Sequence, residues 1–277
     1  MNKKAIHGKT IFKSNLATDI RVAHDCGFSA IEIVASKLYS FLEQGNSTND
    51  LNKILNHFHV VPVCINDIAH VETDDAKKLD EILKETDYLS KVAKEINCPT
   101  IQLVPLLALE GRPWEDIVHI TGQNVGKIGA IGKKYGIGFQ MEPVAWSPIH
   151  SLSKCLEMID VAGEENIRMV VDFWHLWAGG ETSPDEVAKL DKSMIYNIHF
   201  CDGKRQPRDT QWDETILRGF YPGEGDIPIS EWVDAVKATG YDGYWSCELV
   251  SAKHWEDDVF EVASTMSKAM DKYIFNS

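Results

Sequence analysis

Short apolar runs rich in β-branched residues recur along the chain, each followed by a polar turn and then a longer stretch with helical spacing. The clearest runs are Ala30 to Val34, Val60 to Ile65, Thr100 to Val104, Gly138 to Glu142, Met169 to Asp172, Ile195 to Phe200 and Tyr244 to Leu249. An early run near Ala5 to His7 completes eight. Between them, Leu16 to Cys26 places Leu16, Ile20, Ala23 and His24 three or four positions apart. Asp74 to Ile96 gathers Leu79, Ile82, Leu83, Leu89 and Val92 on one face and charges on the other, and Trp114 to Tyr135 and Leu152 to Ala162 are patterned alike. Near-continuous apolar runs read as strands buried on both faces, and the 3–4 spacing reads as amphipathic helix. Gly27, Gly136 and Gly240 stand just before the next strand. Glycine tolerates the left-handed conformation that ends a helix.

Strands alternating with helices imply parallel pairing through right-handed crossovers. Eight units within 277 residues predict a closed (β/α)₈ barrel, a single domain over 1–277, rather than an open doubly wound sheet. No Gly-x-Gly-x-x-Gly follows the first strand, which disfavours a dinucleotide-binding fold. Gly223-Glu224-Gly225 comes late, after Tyr221-Pro222, and reads as a loop turn rather than a phosphate cradle.

Four successive runs in the second half end in Glu142, Asp172, His199 and Glu248. In a parallel barrel the carboxyl ends of the strands carry the active site. Any one of these residues alone reads as a solvated turn or a helix cap. Together they point to a cation, because Asp172 follows Met-Val-Val and Glu248 follows Trp-Ser-Cys. A bare carboxylate in apolar company is costly unless it is paired or binds metal. Three carboxylates and one imidazole favour one divalent ion, Mn²⁺, Co²⁺ or Mg²⁺ with Zn²⁺ also admitted, in a site left open to substrate oxygens.

Other side chains gather near these four. His175 lies three residues past Asp172 and is expected to project over the site as a substrate contact. Trp255, with His254, follows Glu248 closely enough to line the pocket. Trp146, Trp174 and Trp177 also crowd the rim loops, offering faces on which sugar-like rings stack. Lys204, Arg205, Arg208 and Arg218 follow His199, and Arg218 is the preferred candidate for orienting an oxyanion or hydroxyl.

Charge narrows the partners. A formal net charge of -14 repels phosphate backbones and anionic lipid heads, so neither nucleic acid nor membrane is expected. No apolar stretch reaches the ~18–20 residues that span a bilayer. Met-Asn-Lys-Lys-Ala-Ile-His-Gly has no apolar core and does not read as a secretory leader. The six cysteines are scattered without a Cys-x-x-Cys pair, as in a reduced, cytoplasmic protein.

At these residues the chain resembles the xylose-isomerase-like barrel superfamily, and within it the inosose isomerase branch. The resemblance runs through Gly27-Phe28 with Ile31-Glu32-Ile33, Val63 to Asn66, Phe139 to Glu142, Val171 to His175, Ile195 to His199, Tyr221 to Gly225, Gly240 to Asp242 and Ser246 to Leu249. It implies that Glu142, Asp172, His199 and Glu248 hold one divalent metal. It implies that His175 contacts substrate and that Glu142 and Glu248 face opposite sides of the bound carbon, placed to exchange a proton through an enediolate; Asn66 is a further candidate substrate contact. Arg205 is the counterpart of an arginine in the ketohexose epimerase branch, in a different local context. The implied activity is isomerisation or epimerisation of a small polyhydroxylated ketone, a keto-inositol or ketose. Dimers or tetramers are common in that superfamily, and nothing in this sequence derives one. Asp172-Phe-Trp-His175-Leu-Trp also resembles 3-dehydroshikimate dehydratases, so a lyase expelling water from the same enolate stays open. An endonuclease IV-like repair enzyme fits poorly with the acidic charge, and a non-catalytic sugar or metal sensor remains a third reading.

Overall fold

The computed structural model of the chain describes residues 3–207 and 210–275, so Arg208 lies outside the described residues. Eight parallel strands close into a barrel in sequence order. They are β1 (Lys3–His7), β2 (Ala30–Val34), β3 (Val61–Ala69), β4 (Thr100–Val104), β5 (Gly138–Met141), β6 (Ile167–Asp172), β7 (Ile195–Phe200) and β8 (Tyr244–Cys247). The seam pairs β1 with β8, from Lys3 opposite Tyr244 to Ile6 opposite Cys247.

The expected helices form at Leu16–Asp25, Ala76–Glu95, Trp114–Lys133 and Leu152–Ala162. Gly27, Gly136 and Gly240 adopt φ of 81°, 77° and 74°, the left-handed geometry expected of them. Further helices, Ala35–Glu43, Thr48–Phe58, Phe173–Gly179, Ile229–Ala238 and Val259–Met270, cover the remaining face. Phe173–Gly179 escapes a search for amphipathic spacing because nearly all its residues are buried, leaving no polar face to set a period.

Strand ends matter most for the site. Glu142 and Glu248 each fall one residue past the end of β5 and β8, yet their N–H groups still bond Leu103 O and Phe200 O on the neighbouring strands β4 and β7 at 3.0 and 3.1 Å. Both carboxylates therefore leave a fixed backbone. The outer layer between strands and helices is apolar, with Ile31, Ile33, Ile101, Phe139, Val171 and Ile198 all fully buried. Each such side chain contributes about 1.5–3 kcal/mol by leaving water.

The barrel interior is different. His7, Glu32, Gln102, Gln140, Asn197, His199 and Ser246 are buried polar residues on its strands. Along β5 and β7 the polar positions alternate with apolar ones, Gln140 then Glu142, Asn197 then His199, as the two-residue period of a strand requires. Among the described residues no helix is long and apolar enough to cross a membrane.

Candidate metal centre

Glu142, Asp172, His199 and Glu248 are buried and each offers a ligand atom, all within 4.8 Å of one another. His199 Nδ1 stands at the middle, 3.1 Å from Glu142 Oε1, 3.3 Å from Asp172 Oδ2 and 3.2 Å from Glu248 Oε2. Its other nitrogen, Nε2, lies 3.1 Å from Glu32 Oε1. Burial alone would strip the second proton from His199. Glu32, Glu248, Asp172 and Glu142 outweigh it and lift the imidazole's pKa well above its ordinary value.

Arg218 closes the upper side. It is 1% exposed, and its Nη2 donates to Asp172 Oδ2 at 2.8 Å and to Glu248 Oε2 at 2.5 Å. Its Nη1 donates to Glu214 Oε1 at 2.7 Å. Burial would raise the pKa of both carboxylates, but Arg218 with the nearby histidines holds Glu248 well below the carboxylate range and Asp172 at about 2. Arg218, expected to orient an oxyanion or hydroxyl, thus faces the site with its guanidinium gripping the carboxylates.

His175 is also at the centre, 2% exposed, with its ring against Trp146 at 5.4 Å. Its Nδ1 accepts from the Ala145 N–H at 3.2 Å, and its Nε2 faces the Arg218 Nη1 donor at 3.2 Å. Beside it opens a cavity of about 270 Å³ lined by Lys9, Asp67, Glu142, Trp146, His175 and Glu214. That is just below the ~300–1,000 Å³ typical of ligand sites, room for a small molecule only. A larger groove of about 630 Å³ lies behind the loop after β1, against Phe12, Lys37 and Phe41, and includes none of the four ligands.

Three further residues expected at the substrate make contacts of their own within the chain. Asn66 is 2% exposed and turns its amide into the barrel, donating to Glu32 Oε2 at 2.6 Å. Arg205 is exposed and lies over the Trp177 ring at 5.1 Å. Trp255 donates from Nε1 to Lys9 O at 2.7 Å and packs on Phe12, bracing the loop after β1. Trp255 was expected at the substrate from its nearness to Glu248 in sequence, which does not report where a rim loop folds back. Cys201 and Cys247 are fully buried free thiols.

The residues from 20 to 269 match the family model described as xylose isomerase-like TIM barrel. The chain belongs to this family. An inosose isomerase of Halalkalibacterium halodurans is 26% identical over 259 residues, 92% of this chain and 90% of that protein. A second inosose isomerase, of Bacillus velezensis, is 22% identical over 271 residues, 95% of each. Among solved structures, the IolI protein with a bound zinc atom superposes with a TM-score of 0.90 at 22% identity, covering 99% of this chain and 98% of that one.

Within this xylose isomerase-like barrel, several site residues carried no motif. Lys9 and Asp67, 4.0 Å apart, reach the cavity from the loop after β1 and from β3, and Glu214 comes from the long segment after β7. Glu32 is the exception that had a signal. A lone carboxylate inside Ala-Ile-Glu-Ile-Val, a strand buried at every position, requires partners inside the barrel.

Proposed function

We propose that the protein is a divalent-metal-dependent isomerase or epimerase of a small polyhydroxylated ketone, of the keto-inositol or ketose class, with the chain 1–277 acting as one domain. The observation that carries this reading is the convergence of three buried carboxylates and one imidazole beside a small polar cavity. So many oxygen donors facing one point fit a divalent ion, and Glu142, Asp172, His199 Nδ1 and Glu248 would hold it. The inosose isomerase relatives support the substrate class, and the zinc in the IolI structure supports the cofactor class. When bound, such an ion polarises a carbonyl and acidifies the adjacent C–H.

The chain's own groups supply the rest. One of Glu142 and Glu248 takes the proton as the C–H bond breaks, and the electron pair moves into the C=C of an enediolate. The proton then returns to the neighbouring carbon while the hydroxyl proton crosses to the former carbonyl oxygen, giving the isomer, or it returns to the opposite face of the same carbon, giving the epimer. No oxidant or reductant is consumed. The His175 imidazole contacts substrate from one wall, Lys9 donates to a substrate oxygen from the other, and Trp146 offers an aromatic face for the ring. Arg218 fixes the orientation of Asp172 and Glu248 and keeps both ionised.

Asp172→Ala and His199→Ala are expected to abolish stoichiometric metal in protein purified and dialysed against Zn²⁺ or Mn²⁺, read by elemental analysis. Full metal content in both variants overturns the ligand assignment. Glu248→Gln is expected to lose turnover on a keto-inositol or ketose.

A further inference from the structure

Each of the four proposed ligands meets an orienting group outside the ligand set. Asp172 Oδ1 accepts from the His175 N–H at 2.7 Å. Glu142 Oε2 accepts from Gln102 Nε2 at 2.9 Å. Glu248 Oε1 faces His7 Nε2 at 3.6 Å, and the Lys9 N–H donates to His7 Nδ1 at 3.0 Å, which leaves the proton on Nε2. His199 Nε2 faces Glu32 Oε1 at 3.1 Å. Glu32 comes from β2, across the barrel from β7, and is 0% exposed.

Glu32 is more than one of four. An ionised carboxylate only accepts, so every group touching it must present a hydrogen. Oε1 takes Asn197 Nδ2 at 2.7 Å besides His199, and Oε2 takes Asn66 Nδ2 at 2.6 Å and Gln140 Nε2 at 3.4 Å. Gln140 Nε2 also donates to Gln102 Oε1 at 2.8 Å, which leaves Gln102 Nε2 to face Glu142. One carboxylate thus fixes the amide orientation that holds Glu142 and puts a hydrogen on His199 Nε2, leaving Nδ1 toward the other three ligands.

Resting on the metal-site reading above, we propose that Glu32 is a positioning residue. It fixes His199 as the Nδ1 ligand and, through Gln140 and Gln102, aligns Glu142. His7, Glu32 and His199 also lie close enough to suggest a second cation site. However, both Glu32 oxygens are already occupied by donors, which leaves that carboxylate nothing to give an ion.

The test is a titration of the metal-free protein with Co²⁺, followed by calorimetry and visible absorption, for wild type, Glu32→Gln and Glu32→Asp. Wild type is expected to bind one ion. Glu32→Gln, which presents an NH₂ where only an acceptor fits, is expected to bind about 10–100-fold more weakly with an altered Co²⁺ spectrum. Its melting temperature in chelator is measured alongside, so that loss of metal is separated from loss of fold. Glu32→Asp, keeping the charge, is expected to recover part of the affinity. Equal affinity in wild type and Glu32→Gln overturns this inference and leaves the metal-site reading intact. No binding by wild type overturns that reading and takes this inference with it, and two ions per chain overturn the role given to Glu32. Should Glu32→Gln not fold, ¹⁵N NMR of zinc-loaded wild type decides. A protonated His199 Nε2 with Nδ1 on the metal is expected, and ligation through Nε2 overturns the proposal.

Discussion

Asp172 shows how much one side chain does here. Its Oδ1 caps the helix Phe173–Gly179 by accepting from the His175 N–H, while Oδ2 faces His199 and Arg218. The helix-cap reading holds for Oδ1, and Oδ2 faces the other proposed ligands. The cluster of Glu142, Asp172, His199 and Glu248 was legible because each stands at or near the end of an apolar run, where a polar side chain has few solvated alternatives. The contacts of Asn66, Arg205 and Trp255 were not legible, because side-chain direction follows from barrel closure and from the path of the rim loops, which no local pattern encodes. Lys9 was invisible for the same reason. Lys9→Met is expected to raise KM about tenfold or more, the worth of a hydrogen bond to a charged donor, with metal content unchanged. Steady-state kinetics beside elemental analysis checks this.

Asp19 and Lys37 form another residue-scale case. Lys37 Nζ lies 2.7 Å from Asp19 Oδ2 and also donates to Gly8 O and Ile11 O, tying down the loop that carries Lys9. Burial raises Asp19 to about 6 and lowers Lys37, so desolvation outweighs their attraction. A carboxyl whose folded pKa exceeds its free value contributes stability that is complete below about pH 4 and lost as pH rises through about 6. Asp19→Asn/Lys37→Met is therefore expected to lack a pH-dependent decline of at most about 3 kcal/mol across that window. At pH 7 it should match or exceed wild type. Urea unfolding in chelator at a series of pH values measures both.

At the scale of elements, strand positions followed closely from the apolar runs, and the boundaries of β2, β4 and β7 coincide with them. β3 runs on to Ala69, past Asn66 and Asp67, because its neighbours supply the ladder that those polar residues do not advertise. The segment from 203 to 227 was legible only as a loop. Its anchor is Asp202, whose carboxylate accepts from the N–H groups of Gly203, Gly223, Gly225 and Ile227 at 2.7–3.2 Å. A Cβ on Gly225 would come within 2.3 Å of Asp202 Oδ1, so glycine is required there. The glycine-rich turn binds an anion, but one supplied by the chain itself. Because this segment carries Glu214 and Arg218, Asp202→Asn is expected to cost about 1–3 kcal/mol. It is also expected to speed amide hydrogen exchange of the described residues between 203 and 227, raising KM more than it changes metal content. Exchange unchanged from wild type would contradict the anchoring role.

For the whole molecule, the eightfold alternation of strand and helix was readable because a barrel repeats one local pattern, and the polar interior was not, because it exists only after closure. That interior makes the fold and the site one structure, with Glu32 of β2 and Gln102 of β4 supporting residues of β5 and β7. Metal binding should therefore stabilise the barrel as a whole. Zn²⁺ or Mn²⁺ at a hundredfold excess over Kd is expected to add about 2.7 kcal/mol, roughly 5–10 °C in Tm, reversed by chelator. Differential scanning calorimetry reads the shift.

The most direct measurement is proton NMR with mass spectrometry of a keto-inositol and ketose panel, with dehydroshikimate alongside, in D₂O with Mn²⁺ or Zn²⁺ and with chelator. The predicted result is deuterium appearing beside the carbonyl of a keto-inositol or ketose, dependent on metal, with no loss of water. Loss of one water would assign the protein to the dehydratases, and no exchange in any compound would contradict proton-transfer chemistry at this site.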